Sequence, residues 1–225
     1  MGRPRKSEAR DVRELLLAEA ERLIAKSGEQ ALRTKTVASA VGVTEPALFH
    51  YFGSREGLIE EAQARRFESS QIDLYKAFRD ATMKCTSKQQ FAGLVEHSLR
   101  SAFTAQRRPL RSARINIAGS AVFRPHLMTR LAKAQRDSLL PAIDAMEYAQ
   151  ERGWVPASLD CTTLVYWIMS QTTGRFFVEM ATDDQTMRRW NDMMVRATMT
   201  EMGLTAARPA KTPRPASSKA RQPKN

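Results

Sequence analysis

Apolar residues along this chain return at intervals of three and four and form no useful run of strand alternation, so the sequence is built for helices and against sheets. Leu16, Ala20, Leu23 and Ile24 make one such stripe over residues 12 to 27, with Glu19, Glu21, Arg22 and Lys26 off it, and Gly28 ends the run. Two much shorter segments follow. Thr34 to Val41 offers Thr34 as a cap and Val37, Ala38 and Val41 as apolar positions before Gly42 forces a turn. Thr44 caps the next segment, with Pro46 in the first turn, where a missing N–H costs little. From Ser54 onward the spacing predicts longer helices over 55–81, 87–106, 109–121, 125–152, 159–181 and 184–202. Pro141, inside one of them, frees the carbonyl of Asp137 and predicts a kink. The expected class is all-α, and 225 residues suffice for a small module joined to a larger helical domain.

Charge is concentrated at the ends. Of 36 Lys and Arg residues against 24 Asp and Glu, six basic residues and no acid fall in 204–225, and Arg3, Arg5, Lys6 and Arg10 face only Glu8 in the first ten positions. A nearly balanced body with two basic ends suits a polyanionic partner, of which nucleic acid is the commonest. The Pro/Ala/Ser-rich stretch 204–225 buries too little to offset its ordering entropy and is expected to be a disordered basic tail. Cys85 and Cys161 show no zinc or disulfide spacing. The longest apolar run, Leu164 to Met169, is far below the roughly 20 residues of a membrane span. A basic start followed by an acid-containing amphipathic segment does not read as a secretory leader, so a cytoplasmic protein is expected.

The stretch GEQALRTKTVASAVGVTEPALFHYFGSREGL, Gly28 to Leu58, places two short helices around Gly42-Val43, with small residues where they must cross and a polar second helix: a helix-turn-helix. It resembles the DNA-binding domain of the TetR (tetracycline-repressor-like) family, whose pattern is met in register by Leu16, Ala20, Leu23, Gly28, Leu32, Thr34, Val37, Ala38, Gly42, Val43, Leu48, Phe49, Phe52, Ser54, Arg55 and Leu58. A recognition helix from Thr44 to His50 with Leu48 and Phe52 inward leaves Thr44, Ala47 and His50 as the expected base-contacting set. Arg33, Lys35, Phe49 and Arg55 are the expected backbone contacts. Glu45 is open between two roles, stabilising its helix N-terminus or accepting from cytosine N4. Two positions depart from the family, which commonly has Tyr at Phe49 and Ser or Thr at Arg33, so a phosphate hydrogen bond would be replaced by a salt-sensitive charge contact. Gly2-Arg3-Pro4-Arg5-Lys6 resembles the Gly-Arg-Pro core of minor-groove hooks, which makes Arg3 and Arg5 the candidate minor-groove arm.

The resemblance implies an arm over 1–11, the helix-turn-helix domain over 12–54, a helical effector-binding and dimerisation domain over 55–203, and the tail over 204–225. The segment 159–181 is apolar nearly all round and must be covered on both sides. With the last helix it is the expected two-fold interface, through Phe177, Trp190 and Met194. Phe103, Ile115, Met128, Leu131, Tyr166, Trp167, Met169 and Gln171 are the expected pocket residues, although most of them also suit ordinary core. His97 and His126 stand alone, so neither a metal nor a cofactor is expected, and no nucleotide-binding or catalytic motif is present to suggest an enzyme. The expected function is a homodimeric transcriptional regulator, a repressor released from a palindromic operator in double-stranded DNA by a small apolar or amphipathic effector. The rival is an architectural or nonspecific DNA-binding protein without an effector.

Overall fold

The computed structural model describes residues 6–69 and 72–205. Among these residues there are ten α-helices and no strand: α1 (Lys6–Ser27), α2 (Thr34–Val41), α3 (Glu45–Phe52), α4 (Arg55–Ser69), α5 (Ile72–Met83), α6 (Lys88–Ala102), α7 (Arg108–Ala121), α8 (Pro125–Glu151), α9 (Cys161–Ala181) and α10 (Asp184–Glu201). The all-α class and the two-part architecture are as the sequence predicts. Arg3, Arg5 and the tail from residue 206 lie outside the described residues.

Side chains set most of the boundaries. The oxygens of Thr44, Ser54, Ser87, Asp160 and Asp183 accept the N–H groups of Ala47, Gly57, Gln90, Thr163 and Thr186. These acceptors satisfy donors that a helix start leaves open. α2 ends on Gly42 at φ 78°, ψ 26°, and the N–H of Val43 reaches back to the Ala38 carbonyl at 3.0 Å. Only a residue without a Cβ enters this left-handed position cheaply, and the turn it makes sets the crossing of α2 and α3.

Four expectations change. The first helix starts at Lys6 rather than 12, so half of the expected arm is its opening turns. Thr34 is not the cap of α2, because Arg33 occupies that position in an extended conformation and the Thr34 hydroxyl donates to Glu45. The segment 55–81 is two helices, α4 ending at Ser69 and α5 opening at Ile72. The segment 87–106 ends at Ala102, where the Arg111 guanidinium donates to the carbonyls of Ala102 and Thr104, each at 3.1 Å, and occupies acceptors that a longer helix would have used itself. The segment expected over 125–152 is a single helix of 27 residues, α8, with Pro141 inside it.

Three cores result. Leu16, Ala20 and Ile24 of α1 enclose Val37, Leu48 and Phe52 together with Leu58, Ile59 and Ala62 of α4. Ala64 and Phe67, further along α4, pack with Ile117 and Ala121 of α7 and Leu127 and Leu131 of α8. The largest core joins α6, α8, α9 and α10 around Phe91, Leu99, Leu139, Met146, Leu164 and Met199, closed by Trp154 against Phe91. α4 therefore belongs to two cores at once, and the boundary expected at 54/55 falls at the head of a helix that ties the helix-turn-helix unit to the rest.

Candidate nucleic-acid interface and effector cavity

The first core fixes which way α3 faces. Leu48 is fully buried and Phe52 nearly so, which turns Thr44, Pro46, Phe49 and His50 outward and leaves Ala47 half-buried. Of the expected base readers, Thr44 and His50 are thus presented to solvent and Ala47 lies at the edge of the same face. Glu45 lies in the first turn of α3, where an acid stabilises the helix N-terminus, and its carboxylate also accepts the Thr34 hydroxyl and clasps α2 to α3. α2 exposes Lys35, Thr36 and Ser39 beside this face. Thr36 was not among the expected contacts, although its place opposite Val37 and Ala38 on a short helix was legible.

The four expected backbone contacts divide. Lys35 is exposed and makes no ion pair among the described residues, and Phe49 is 38% exposed. Arg33 is exposed but donates from Nη1 to the Gln30 carbonyl at 2.7 Å. Arg55 is turned inward: Nε donates to the Leu32 carbonyl at 3.1 Å, Nη2 to the Glu29 carbonyl at 2.7 Å and Nη1 to Glu56 at 2.7 Å. All three of its nitrogens have partners within the fold, while its side chain stays 34% exposed.

A second polar cluster lies behind the motif, assembled from residues 34 to 95 positions apart along the chain. The Glu29 carboxylate accepts from Ser120 Oγ at 2.7 Å, from Gln63 at 3.2 Å and from Arg124 at 3.1 Å, and Arg124 reaches on to Glu56 at 2.9 Å. Burial opposes ionisation of Glu29, yet the hydrogen bonds from Ser120, Gln63 and Arg124 outweigh it and hold the carboxyl below its ordinary value. Arg124 is likewise desolvated, but its bonds to Glu56 and Glu29 hold its guanidinium above the usual value. Farther along, Arg130 pairs with Glu61 and Glu68. The helix-turn-helix unit and α4 are thereby stitched to the end of α7 and the start of α8.

A cavity of about 320 Å³ lies among α5, α6, α7, α8 and α9. Met169 is the expected pocket residue that lines it. The others lie elsewhere: Phe103 is core against Trp190, Leu131 is buried beneath Phe67, Met128 is exposed on α8, and Tyr166 and Trp167 pack on the main core, while Ile115 and Gln171 are half-buried off the lining. The lining comes instead from the apolar faces of α5 and α6 and from arginines of α7. Arg111 and Arg175, both buried, share the single carboxylate of Glu179. Burial, then the nearby Arg111 charge, push the Arg175 guanidinium below its usual value.

At the other face of α9, Phe177 and Met180 are 59% and 65% exposed and Met193 of α10 is 52% exposed. Met194, expected in the interface, is 5% exposed in the main core, and Trp190 is half-buried edge-to-face on Phe103 at 5.5 Å. The exposed stripe of α10 is one residue out of phase with that expectation. Among the described residues there is no group of three or more metal-ligating side chains, and no helix is long and apolar enough to cross a membrane.

Residues 16–62 match the family model of bacterial regulatory proteins of the tetR family. No curated protein matches the chain. Among solved structures, a Rhodococcus sp. protein described as a TetR-family transcriptional regulator is 22% identical, with a TM-score of 0.57 over 86% of this chain and 99% of that one. A Mesorhizobium loti protein of the same description is 12% identical, with a TM-score of 0.65 over 85% and 96%. A Saccharomonospora viridis protein described as a transcriptional regulator, solved in complex with choline, is 16% identical, with a TM-score of 0.61 over 85% and 96%. With α3 presented on a capped, Gly42-turned motif, residues 16–62 are similar to the tetR family of bacterial regulatory proteins, and the chain has the fold of solved proteins described as TetR-family transcriptional regulators.

Proposed function

We propose that this DNA-binding regulator acts as a homodimer on a palindromic operator, represses from it, and is released when a small molecule enters the cavity between α5 and α9. Thr44, Ala47 and His50 read base edges, Lys35, Arg33 and Phe49 meet the phosphate backbone, and Arg3 and Arg5 extend into the adjacent minor groove. Phe177, Met180 and Met193 form the two-fold interface, which sets two α3 helices about 34 Å apart on one face of the duplex. The choline held by the Saccharomonospora viridis neighbour supports a small-molecule effector in a fold of this kind.

The observation that carries the reading is continuity: α7 lines the cavity at one end and, through Ser120 and the adjacent Arg124, holds Glu29 of the DNA-binding unit at the other. A ligand that favours a different seat for α7 alters the spacing of the recognition helices, and its differential affinity for the two arrangements is the whole of its effect. Selection of bound duplexes from a random library by the full-length protein, at physiological salt, tests the DNA half. A single inverted-repeat motif is expected. Enrichment of no motif, with affinity that follows salt alone, would establish the nonspecific architectural alternative instead.

A further inference from the structure

The cavity joins two apolar walls to one that carries hydroxyls. Leu74, Phe78 and Ala81 stand at i, i+4 and i+7 on α5, and Val165, Ile168 and Met169 line the same space from α9. On α6 the lining includes Ser98 and Ser101, at i and i+3 on one face of that helix and both half-buried. Neither hydroxyl makes a hydrogen bond among the described residues. Elsewhere in the chain helix hydroxyls turn back on the carbonyl four residues earlier: Thr82 donates to Phe78, Thr129 to Pro125 and Thr198 to Met194, at 2.9, 3.0 and 2.9 Å. Thr172 and Thr173, on the α9 side of the cavity, are likewise taken, by the carbonyl and the sulfur of Met169.

The charged groups of the lining are engaged by the fold. Arg111 is buried and every nitrogen of its guanidinium has a partner: Nε and Nη2 donate to Glu179, Nη1 to the Ala102 carbonyl, and Nη2 also to the Thr104 carbonyl. Arg114, also buried, lies over the Phe67 ring at 4.2 Å, donates to Gln135 and interacts with Tyr75. Arg107, three residues ahead of the exposed Leu110, is half-buried and so partly hydrated. Among the described residues, the lining holds no Asp or Glu. A buried anion is therefore offered no guanidinium that the fold has not already engaged, and a buried cation no carboxylate, so either would be desolvated without a partner. An uncharged group that accepts a hydrogen bond, or both accepts and donates, is what a pair of hydroxyls can hold.

Resting on the effector reading above, we propose that the cavity takes a neutral amphiphile: its hydroxyl or carbonyl head is held by Ser98 and Ser101, and its apolar body lies between α5 and α9. A volume of about 320 Å³ is at the lower end of the range for small-molecule sites, which suits a body of about ten carbons. Apolar burial supplies the affinity without direction. The two hydroxyls supply direction, because they replace the hydrogen bonds that an uncharged head gives up on leaving water.

The test titrates the full-length protein with decan-1-ol, decan-2-one, decanoate and decyltrimethylammonium, below micelle-forming concentrations, by calorimetry and by shift of the unfolding midpoint. At least one of the two neutral compounds should bind at least tenfold more tightly than either ion, and which of the two binds better separates a hydroxyl from a carbonyl head. The double variant Ser98→Ala, Ser101→Ala should weaken the better neutral ligand several-fold. Alanine is the stronger helix former, so helical content should be retained. Ser98→Thr, which keeps the hydroxyl, should hold more of the affinity than Ser98→Ala. Equal or tighter binding of either ion overturns the neutral class, and unchanged affinity in the double variant overturns the head-group assignment. Binding of none of the four overturns the cavity assignment itself. Release of the duplex recovered by the DNA selection above is measured separately with the same ligand: binding without release overturns the effector reading and leaves the ligand class standing.

Discussion

His50, Lys35 and Arg55 lie within one short motif, yet their environments give them three different kinds of work. His50 is exposed on the outer face of α3, so His50→Ala should change the motif recovered by site selection, with a cost of about 1–3 kcal/mol on the original site. Lys35 is an exposed point charge on α2. Lys35→Ala should weaken every duplex alike and lower the slope of log affinity against log salt by about one unit. Arg55 bonds two carbonyls of the loop ahead of α2, so Arg55→Met should cost about 1–3 kcal/mol of folding stability by thermal unfolding and leave the salt slope as it was. A fall in that slope with unchanged stability would return Arg55 to the phosphate.

Between elements, two contacts decide how the DNA-binding unit is built and held. Gly57, in the first turn of α4, lies against the last carbonyl of α3, and a Cβ there would collide with the Phe52 carbonyl oxygen. Backbone cannot yield as a side-chain tip can, so Gly57→Ala should destabilise the protein by about 1–3 kcal/mol, read from chemical denaturation with retention of DNA binding in the folded fraction. The second contact is Glu29, whose carboxyl is held low in the folded chain despite its burial by the bonds from Ser120, Gln63 and Arg124. A folded-state value below the unfolded one adds stability that is complete above the ordinary carboxylate range, about pH 4.3, and is lost as pH falls through the folded value. The stability difference between wild type and Glu29→Gln should therefore be largest at neutral pH and shrink on acidification. A difference that grows towards low pH would mean that the carboxylate is not the group holding α7 to the motif.

For the whole molecule, the exposed row of Phe177, Met180 and Met193 marks where a second copy would cover apolar surface. Phe177→Arg should give a species near the 25.4 kDa of one chain by sedimentation, with helical content retained and operator affinity sharply reduced. An unchanged dimer would move the interface elsewhere. Trp190→Arg is a different experiment, because Trp190 packs on Phe103: it should lower the unfolding midpoint first, whatever it does to assembly.

What the sequence determined by itself is local. Helical periods, the cap at Thr44, the stop at Gly28, the left-handed turn at Gly42 and the inward pair Leu48 and Phe52 are all specified within a few residues of where they act, which is why the helix-turn-helix was legible to the side-chain level. Periodicity could not say that the apolar face of α5 closes one wall of the cavity, since facing is a property of two helices far apart in sequence. The same limit placed Met194 in an interface and Tyr166 in a pocket: an apolar residue on a nearly all-apolar helix suits core, cavity and dimer surface equally, and the packing of α6, α8 and α10 chose among them. Arg55 and Glu29 show it most sharply. Their types suit a DNA phosphate and a solvated helix end, and only tertiary structure, by bringing Leu32, Ser120 and Arg124 within hydrogen-bond reach, gave both to the fold.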